Sequence, residues 1–334
     1  MPTETLLLTH RVHPLVLSAL ERHAAIIPNQ TDVSLERNEL LSRLGSATGV
    51  IVFPPDRVDE EFLNAAPLLR VVSSTAHGVD RIDVKLFAER GVTCMNVPDL
   101  SVSPTAELAV TLLLGLARRI QVGDRLVRSE GFTGWSPMST GQGIAGSRIG
   151  LIGAGALGLA IAKRLIGLEA TLCYADPRPL PKSVEKPLGL ERMSLDGLLE
   201  RCDAIFVSTP LSPETRELLG RSRLGRMKPG ALLVNVARGS IVDERAVATL
   251  LEQDHLGGYA ADVFAFEDVN GKALPPELLA LTDRTLFTPH VGSAVTDVRY
   301  NIEMRAAENA ISCLRGEHVA GTLEPRPALL AAAR

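Results

Sequence analysis

The chain has 334 residues, of which 46% are hydrophobic and 22% charged, and its formal net charge is −4. That length suits two globular domains, and the composition excludes a disordered chain. The slight negative charge gives no electrostatic footprint for nucleic acid, so an anionic ligand has to be held by local positive groups.

The first hundred residues alternate between β-rich runs and helical patterns. Thr5–Thr9, Ala25–Pro28, Gly49–Phe53, Arg70–Thr75 and Val92–Val97 read as strands. Pro14–His23, Ser34–Leu44, Asp59–Ala65 and Arg81–Arg90 read as helices. Such alternation predicts a parallel sheet wrapped by helices. The leucine run in MPTETLLLTH is too short for a signal-peptide core. The greasiest stretch, Leu108–Ala117, falls short of the ~20 residues a membrane span needs. A cytoplasmic protein with no membrane partner is therefore expected. Cys94, Cys173, Cys202 and Cys313 form no CxxC pair and the histidines are dispersed, so buried free thiols and no metal site are expected.

From Pro104 to about Ser129 runs one long helical pattern, with Ser103 placed to cap it and Pro104 in its first turn. Its apolar residues fall on more than one face, which predicts burial between domains or between subunits. Gly131–Gly146, with Trp135, has loop composition. A second series follows, with strands at Arg148–Ile152, Ala170–Tyr174, Ala204–Ser208, Leu232–Val236, Gly258–Ala261 and Thr285–Thr288. A last helix spans about Ala294 to Leu314.

The strand Arg148–Ile152 runs directly into Gly153-Ala-Gly155-Ala156-Leu157-Gly158 and then into a helical pattern. G-x-G-x-x-G in that context is a dinucleotide loop. Gly153 permits the tight turn, Gly155 lets backbone approach a pyrophosphate, and Gly158 allows close helix–strand contact. The helix N-terminus, at Ala156 and Leu157, supplies N–H groups and partial positive charge for phosphates. Asp176 follows the next strand, where a carboxylate bonds ribose hydroxyls and repels a 2′-phosphate. NAD is thus the expected cofactor, although Arg178 weakens the preference over NADP.

Three further segments end predicted strands: Asn235-Val-Ala-Arg238-Gly-Ser240, Ala261-Asp262-Val-Phe264 leading to Glu267, and Thr288-Pro289-His290. Ligands of open α/β sheets bind beyond the carboxyl ends of strands. Hydride transfer to a carbonyl needs a proton donor and a cation, roles suited to histidine and arginine. A carboxylate beside the ring orients it and favours its charged form. The catalytic candidates are therefore His290 as acid/base, Glu267 as its partner and Arg238 as the anchor of an anionic substrate.

His77–Asp83 (HGVDRID), Gly153–Gly158, Leu232–Val242 (LLVNVARGSIV), Asp262–Phe264 with Glu267, and Thr288–Ser293 (TPHVGS) closely resemble the D-2-hydroxyacid dehydrogenase family. The resemblance implies two Rossmann-like, doubly wound parallel-sheet α/β domains with an active-site cleft between them. It implies a substrate-binding domain of residues 1–100 plus 291–334, an NAD-binding domain of residues 101–290, and a homodimer formed through the long helix and the Trp135 loop. It implies cofactor contacts at Thr105, Asp176, Pro210, Thr215, Asp262 and Gly292, and substrate contacts at Gly78, Val79, Trp135, Arg238 and Ser293.

Within the family, runs such as Thr9-His-Arg-Val-His13, Asn29-Gln-Thr-Asp32 and Gly257–Asp262 are most similar to the phosphite (phosphonate) dehydrogenase branch. His77 stands where that branch has a lysine for its dianionic substrate, Thr140 where it has a tyrosine, and Pro54 where it has a methionine. The expectation is a small substrate bearing a phosphonate, such as phosphonopyruvate or phosphonolactate, with His77 on the second anionic group. A generic 2-oxo acid (glyoxylate or hydroxypyruvate) reductase, phosphite oxidation, and an NAD-sensing binding protein are the alternatives.

Overall fold

A computed structural model describes residues 4–135, 140–268, 273–317, 319 and 321–324. The chain divides into two compact units, Met1–Ser101 with Ser293–Arg334, and Val102–Gly292.

The first unit holds a five-stranded parallel sheet in the order β2-β1-β3-β4-β5. Its strands are β1 (Thr5–Leu8), β2 (Ala25–Ile27), β3 (Gly49–Val52), β4 (Val71–Ser74) and β5 (Thr93–Met95). Successive side chains of a strand point to opposite faces. Leu6, Leu8, Ile51 and Val71 accordingly pack with Ile302, Ala306 and Ala310 of the helix Thr296–Leu314. Leu7, Val50, Val52 and Val72 pack the other way, against Leu40, Leu44, Phe62 and Phe87. Each fully buried Leu, Ile or Phe of these layers contributes roughly 1.5–3 kcal/mol. Two helices start one or more residues later than expected because Asp59 and Asp83 cap them from outside, accepting the N–H of Phe62 and Leu86, each at 3.1 Å.

The second unit has seven parallel strands in the order β12-β11-β10-β9-β6-β7-β8. They are β6 (Arg148–Ile152), β7 (Thr171–Ala175), β8 (Leu190–Arg192), β9 (Ala204–Val207), β10 (Leu232–Asn235), β11 (Gly258–Ala261) and β12 (Thr285–Phe287). The winding reverses between β6 and β9, which opens a crevice at the carboxyl ends of those strands.

Three sequence expectations need correction. The long helix is two helices, Val102–Ala117 and Ile120–Val127, broken at Arg119, whose φ of 53° is left-handed. Left-handed residues close helices, usually as glycine, and an arginine there carries no compositional signal. Ser103 does not cap the helix but lies inside it, taking a 2.7 Å hydrogen bond from Arg164. The broad burial of Val102–Ala117 arises within its own unit. Ala109, Leu112, Leu113 and Leu116 share one core with Ile149, Leu151, Leu165, Val234 and Ala260. The edge strand β8 was not expected: it is three residues long and only Leu190 is buried, so it shows no periodicity.

Cys94, Cys173 and Cys202 are buried free thiols and Cys313 is partly exposed. Among the described residues no helix is long and apolar enough to cross a membrane.

Candidate active site

The glycine loop leaves β6 through Gly153, whose φ of +96° is in the left-handed half of the map. A Cβ there would lie 2.9 Å from the backbone of Thr209, so both conformation and space demand glycine. At Gly158 a Cβ would come within 2.2 Å of the Gly153 carbonyl oxygen, so the helix Ala156–Leu165 packs directly on the turn. Ser208, from the end of β9, ties the turn down by donating to that carbonyl at 2.8 Å.

Gly155 is different. Nothing lies within 4 Å of where its Cβ would be. It is the N-cap of the helix and no side chain caps that end. The first N–H groups of the helix therefore face an open space, and orphan donors with partial positive charge form a phosphate site. Asp176, just past β7, accepts the Ala154 N–H at 2.9 Å with one oxygen and the Arg178 N–H at 2.9 Å with the other. The carboxylate thus clamps the glycine loop to the loop after β7, and its remaining lone pairs can accept ribose hydroxyls. Arg178 itself is exposed. Pro210 and Thr215 belong to the loop after β9, where the Thr215 hydroxyl donates to the Pro210 carbonyl at 2.7 Å. A strand, a cleared turn, an open helix end and an acid at the next strand fit a dinucleotide.

The second cluster sits on β10, β11 and β12, which are neighbours in the sheet. Arg238 follows β10 and is half-buried, with one guanidinium nitrogen donating to the Ala237 carbonyl at 2.8 Å. Behind it, Gly239 is pressed against the next loop, where a Cβ would lie 1.9 Å from the Phe264 carbonyl carbon. Ser240 extends the junction, donating its N–H to Asp268 at 2.8 Å. This seam fixes the Arg238 segment against the one-turn helix Ala265–Asp268, which carries Glu267.

Glu267 accepts the Phe264 N–H at 2.6 Å through Oε1 and meets Nδ1 of His290 at 2.6 Å through Oε2. A carboxylate only accepts, so Nδ1 carries a proton, which leaves Nε2 as the ring nitrogen available for chemistry. The His290 backbone is left-handed, with φ of +54°. That costs a non-glycine residue about 1–2 kcal/mol. Asp262 compensates. Its carbonyl accepts the His290 N–H at 2.8 Å, and its carboxylate accepts from the Thr288 hydroxyl at 2.6 Å and from the N–H groups of Val291 at 2.8 Å and Gly292 at 2.9 Å. Burial pushes the Asp262 carboxyl up from its ordinary value, against the pull of Thr288, Val291, Gly292 and the nearby His290. Thr105 reaches the same point, since a Cβ at Gly292 would lie 2.9 Å from its hydroxyl and 3.1 Å from Asp262.

His290 and Glu267 are therefore in contact. Arg238 stands on the adjoining strand end, and Thr105, Asp262 and Gly292 converge beside them. Trp135 belongs to the same unit but projects into solvent, 92% exposed. Thr140, expected near the substrate, lines a cavity with Leu232 and Arg284, at the amino ends of β10 and β12 and so at the opposite edge of the sheet from His290.

In the first unit, His77, Gly78 and Val79 form the loop after β4, and Ser293 precedes the helix Thr296–Leu314. His77 is exposed, its Nδ1 bonded to the Pro98 carbonyl. No described residue accepts from the N–H of Gly78 or Val79. The sequence reading assigned no part to Ser208, Thr288 or Asp268. Ser208 and Asp268 act on backbone groups and Thr288 on the Asp262 carboxylate, none of them on a ligand, which residue type alone does not reveal.

The model of the D-isomer specific 2-hydroxyacid dehydrogenase NAD binding domain matches residues 110–292. The glyoxylate reductase of Thermococcus onnurineus is 34% identical over 316 residues, covering 93% of each chain. That of Pyrococcus furiosus is 34% identical, with 90% of this chain and 89% of the relative covered. Among solved structures, the TT0316 protein of Thermus thermophilus superposes with a TM-score of 0.87 at 33% identity, covering 96% of this chain and all of that one.

Proposed function

This chain belongs to the D-isomer specific 2-hydroxyacid dehydrogenase family, and within it we propose a reductase of small unbranched 2-oxo acids of the glyoxylate or hydroxypyruvate kind. It is an NAD-dependent oxidoreductase. The observation that carries the reductase reading is the His290–Glu267 pair beside Arg238, in a unit whose glycine loop fits a dinucleotide. The glyoxylate reductase name of the relatives supports the substrate class.

When bound, the nicotinamide supplies the hydride for the reductive direction. His290 gives the proton from Nε2 to the substrate carbonyl oxygen. Glu267 holds Nδ1–H, which fixes the orientation of the ring for that transfer. Arg238 offers a planar fork for the substrate carboxylate and polarises the carbonyl next to it. Asp262 keeps His290 in its left-handed conformation and, with Thr105 and Gly292, borders the cofactor.

A phosphonate substrate ranks below this reading. Nδ1 of His77 is committed to a carbonyl and so carries its proton. In the neutral ring Nε2 is then an acceptor and repels an anionic oxygen. Only the protonated ring offers a second cation. A homodimer is the assembly we propose. Ile120, Val127, Phe132 and Trp135 are large apolar residues exposed together along the helix Ile120–Val127 and the segment after it, a surface that favours self-association.

The test is initial-rate NADH oxidation with glyoxylate, hydroxypyruvate, longer 2-oxo acids and phosphonopyruvate, and NAD reduction with phosphite. Highest kcat/KM on glyoxylate or hydroxypyruvate is expected. A strong preference for phosphonopyruvate or phosphite would overturn the substrate class, and NAD binding with no turnover would favour a sensing role.

A further inference from the structure

We infer that Asn235 is a positioning residue that aims Arg238 and couples it to the loop carrying His290; the inference rests on the roles proposed above for those two residues. Asn235 is the last residue of β10 and is completely buried. A buried primary amide needs partners; two of them here are backbone groups of the site, and the Tyr259 hydroxyl lies beside it. Its Oδ1 accepts the Ala237 N–H at 3.1 Å, and its Nδ2 donates to the Arg238 carbonyl at 3.0 Å. One carboxamide therefore closes around residues 236–238 from both sides.

The sheet does not do this work. At Val236 the bond to the Val207 carbonyl has already stretched to 3.5 Å, the limit of a hydrogen bond. The Asn235 side chain takes over where strand pairing fades, and holds Arg238 extended at φ −145°, ψ 141°. Its main chain faces the other way. The Asn235 carbonyl accepts the Asp262 N–H at 3.0 Å, and Asp262 is the residue that fixes His290. The anchor and the acid thus share one buried tie-point, and a shift there misplaces the guanidinium without touching a ligand.

Asn235→Asp tests this with shape conserved. The acceptor for Ala237 survives, but the donor to Arg238 is replaced by an oxygen that repels the Arg238 carbonyl. Asn235→Ser is the second variant, should Asp misfold. It is neutral, and its single hydroxyl, shorter than the carboxamide, cannot serve Ala237 and Arg238 together. With folding checked by circular dichroism, the KM for glyoxylate is expected to rise about tenfold or more in either Asn235 variant. NADH affinity should stay within about twofold. The decisive readout is the double variant with Arg238→Gln, in which the Asn235 change should alter kcat/KM by less than about twofold, because its route of action is already gone. Multiplicative losses, an unchanged KM, or equal damage to NADH affinity would overturn the inference. A fully active Arg238→Gln single variant would instead remove the reading it rests on.

Discussion

Nδ1 of His290 lies 2.6 Å from Oε2 of Glu267, and the other oxygen of that carboxylate accepts the Phe264 N–H at 2.6 Å. Glu267 is thus held by its own loop while it holds the ring. Glu267→Gln keeps this shape and replaces the anionic acceptor of Nδ1–H with a neutral amide. We expect kcat for glyoxylate reduction to fall roughly 10- to 10³-fold with NADH affinity unchanged, since the pair acts on the proton and not on the cofactor. Single-turnover and steady-state rates with NADH check it, and a wild-type kcat would contradict it.

The three loop glycines should fail in different ways. Gly158→Ala places a methyl 2.2 Å from a carbonyl oxygen and Gly153→Ala adds a left-handed φ of +96° to a backbone contact, so both should lower the melting temperature of the unit. Gly155→Ala meets nothing within 4 Å and should leave melting unchanged. Its methyl enters the open space assigned to the pyrophosphate, so NADH affinity should fall by about tenfold or more. Differential scanning fluorimetry with and without NADH separates the cases. A Gly155→Ala protein that binds NADH normally would move the phosphate site elsewhere.

His77→Ala should change kcat/KM for glyoxylate by less than about threefold and leave the ratio of phosphonopyruvate to glyoxylate unaltered, because its Nδ1 is already engaged by Pro98. A large selective loss on phosphonates would reinstate His77 as an anion contact.

The parts legible in sequence were those where one residue type has little alternative. Gly153 and Gly158 are forced by backbone contacts, and G-x-G-x-x-G reported them. Arg238, Glu267 and His290 each follow a short, strongly hydrophobic strand, so their placement at neighbouring strand ends came from the alternation of elements. Illegible were features set by tertiary context. Arg119 adopts a left-handed conformation that composition assigns to glycine. The helix Val102–Ala117 is buried on several faces because it packs on both a sheet and another helix of its own unit. Asn235 was visible as a letter, but its work on the Arg238 backbone appears only in the hydrogen bonds.

Acid should loosen the second unit through Asp203. Burial pushes its carboxyl up, but the Arg148 N–H and the Lys228 ammonium outweigh that and hold it below its ordinary value. A depressed folded value stabilises above the unfolded pKa, near 4 for aspartate, and is lost as pH falls through the folded one. Asp203→Asn should therefore lower the melting temperature at neutral pH and narrow its difference from wild type below about pH 4. Melting curves across pH 3 to 7 test this, and a gap that widens in acid would reverse the sign.

We propose that His290 delivers the proton in an NADH-dependent reduction of a small 2-oxo acid. Steady-state NADH oxidation with glyoxylate, comparing wild type with His290→Ala and with NADH affinity measured alongside, tests it most directly. We expect kcat to fall about 10²- to 10⁴-fold with NADH bound as tightly as before. A His290→Ala enzyme turning over near the wild-type rate would contradict it.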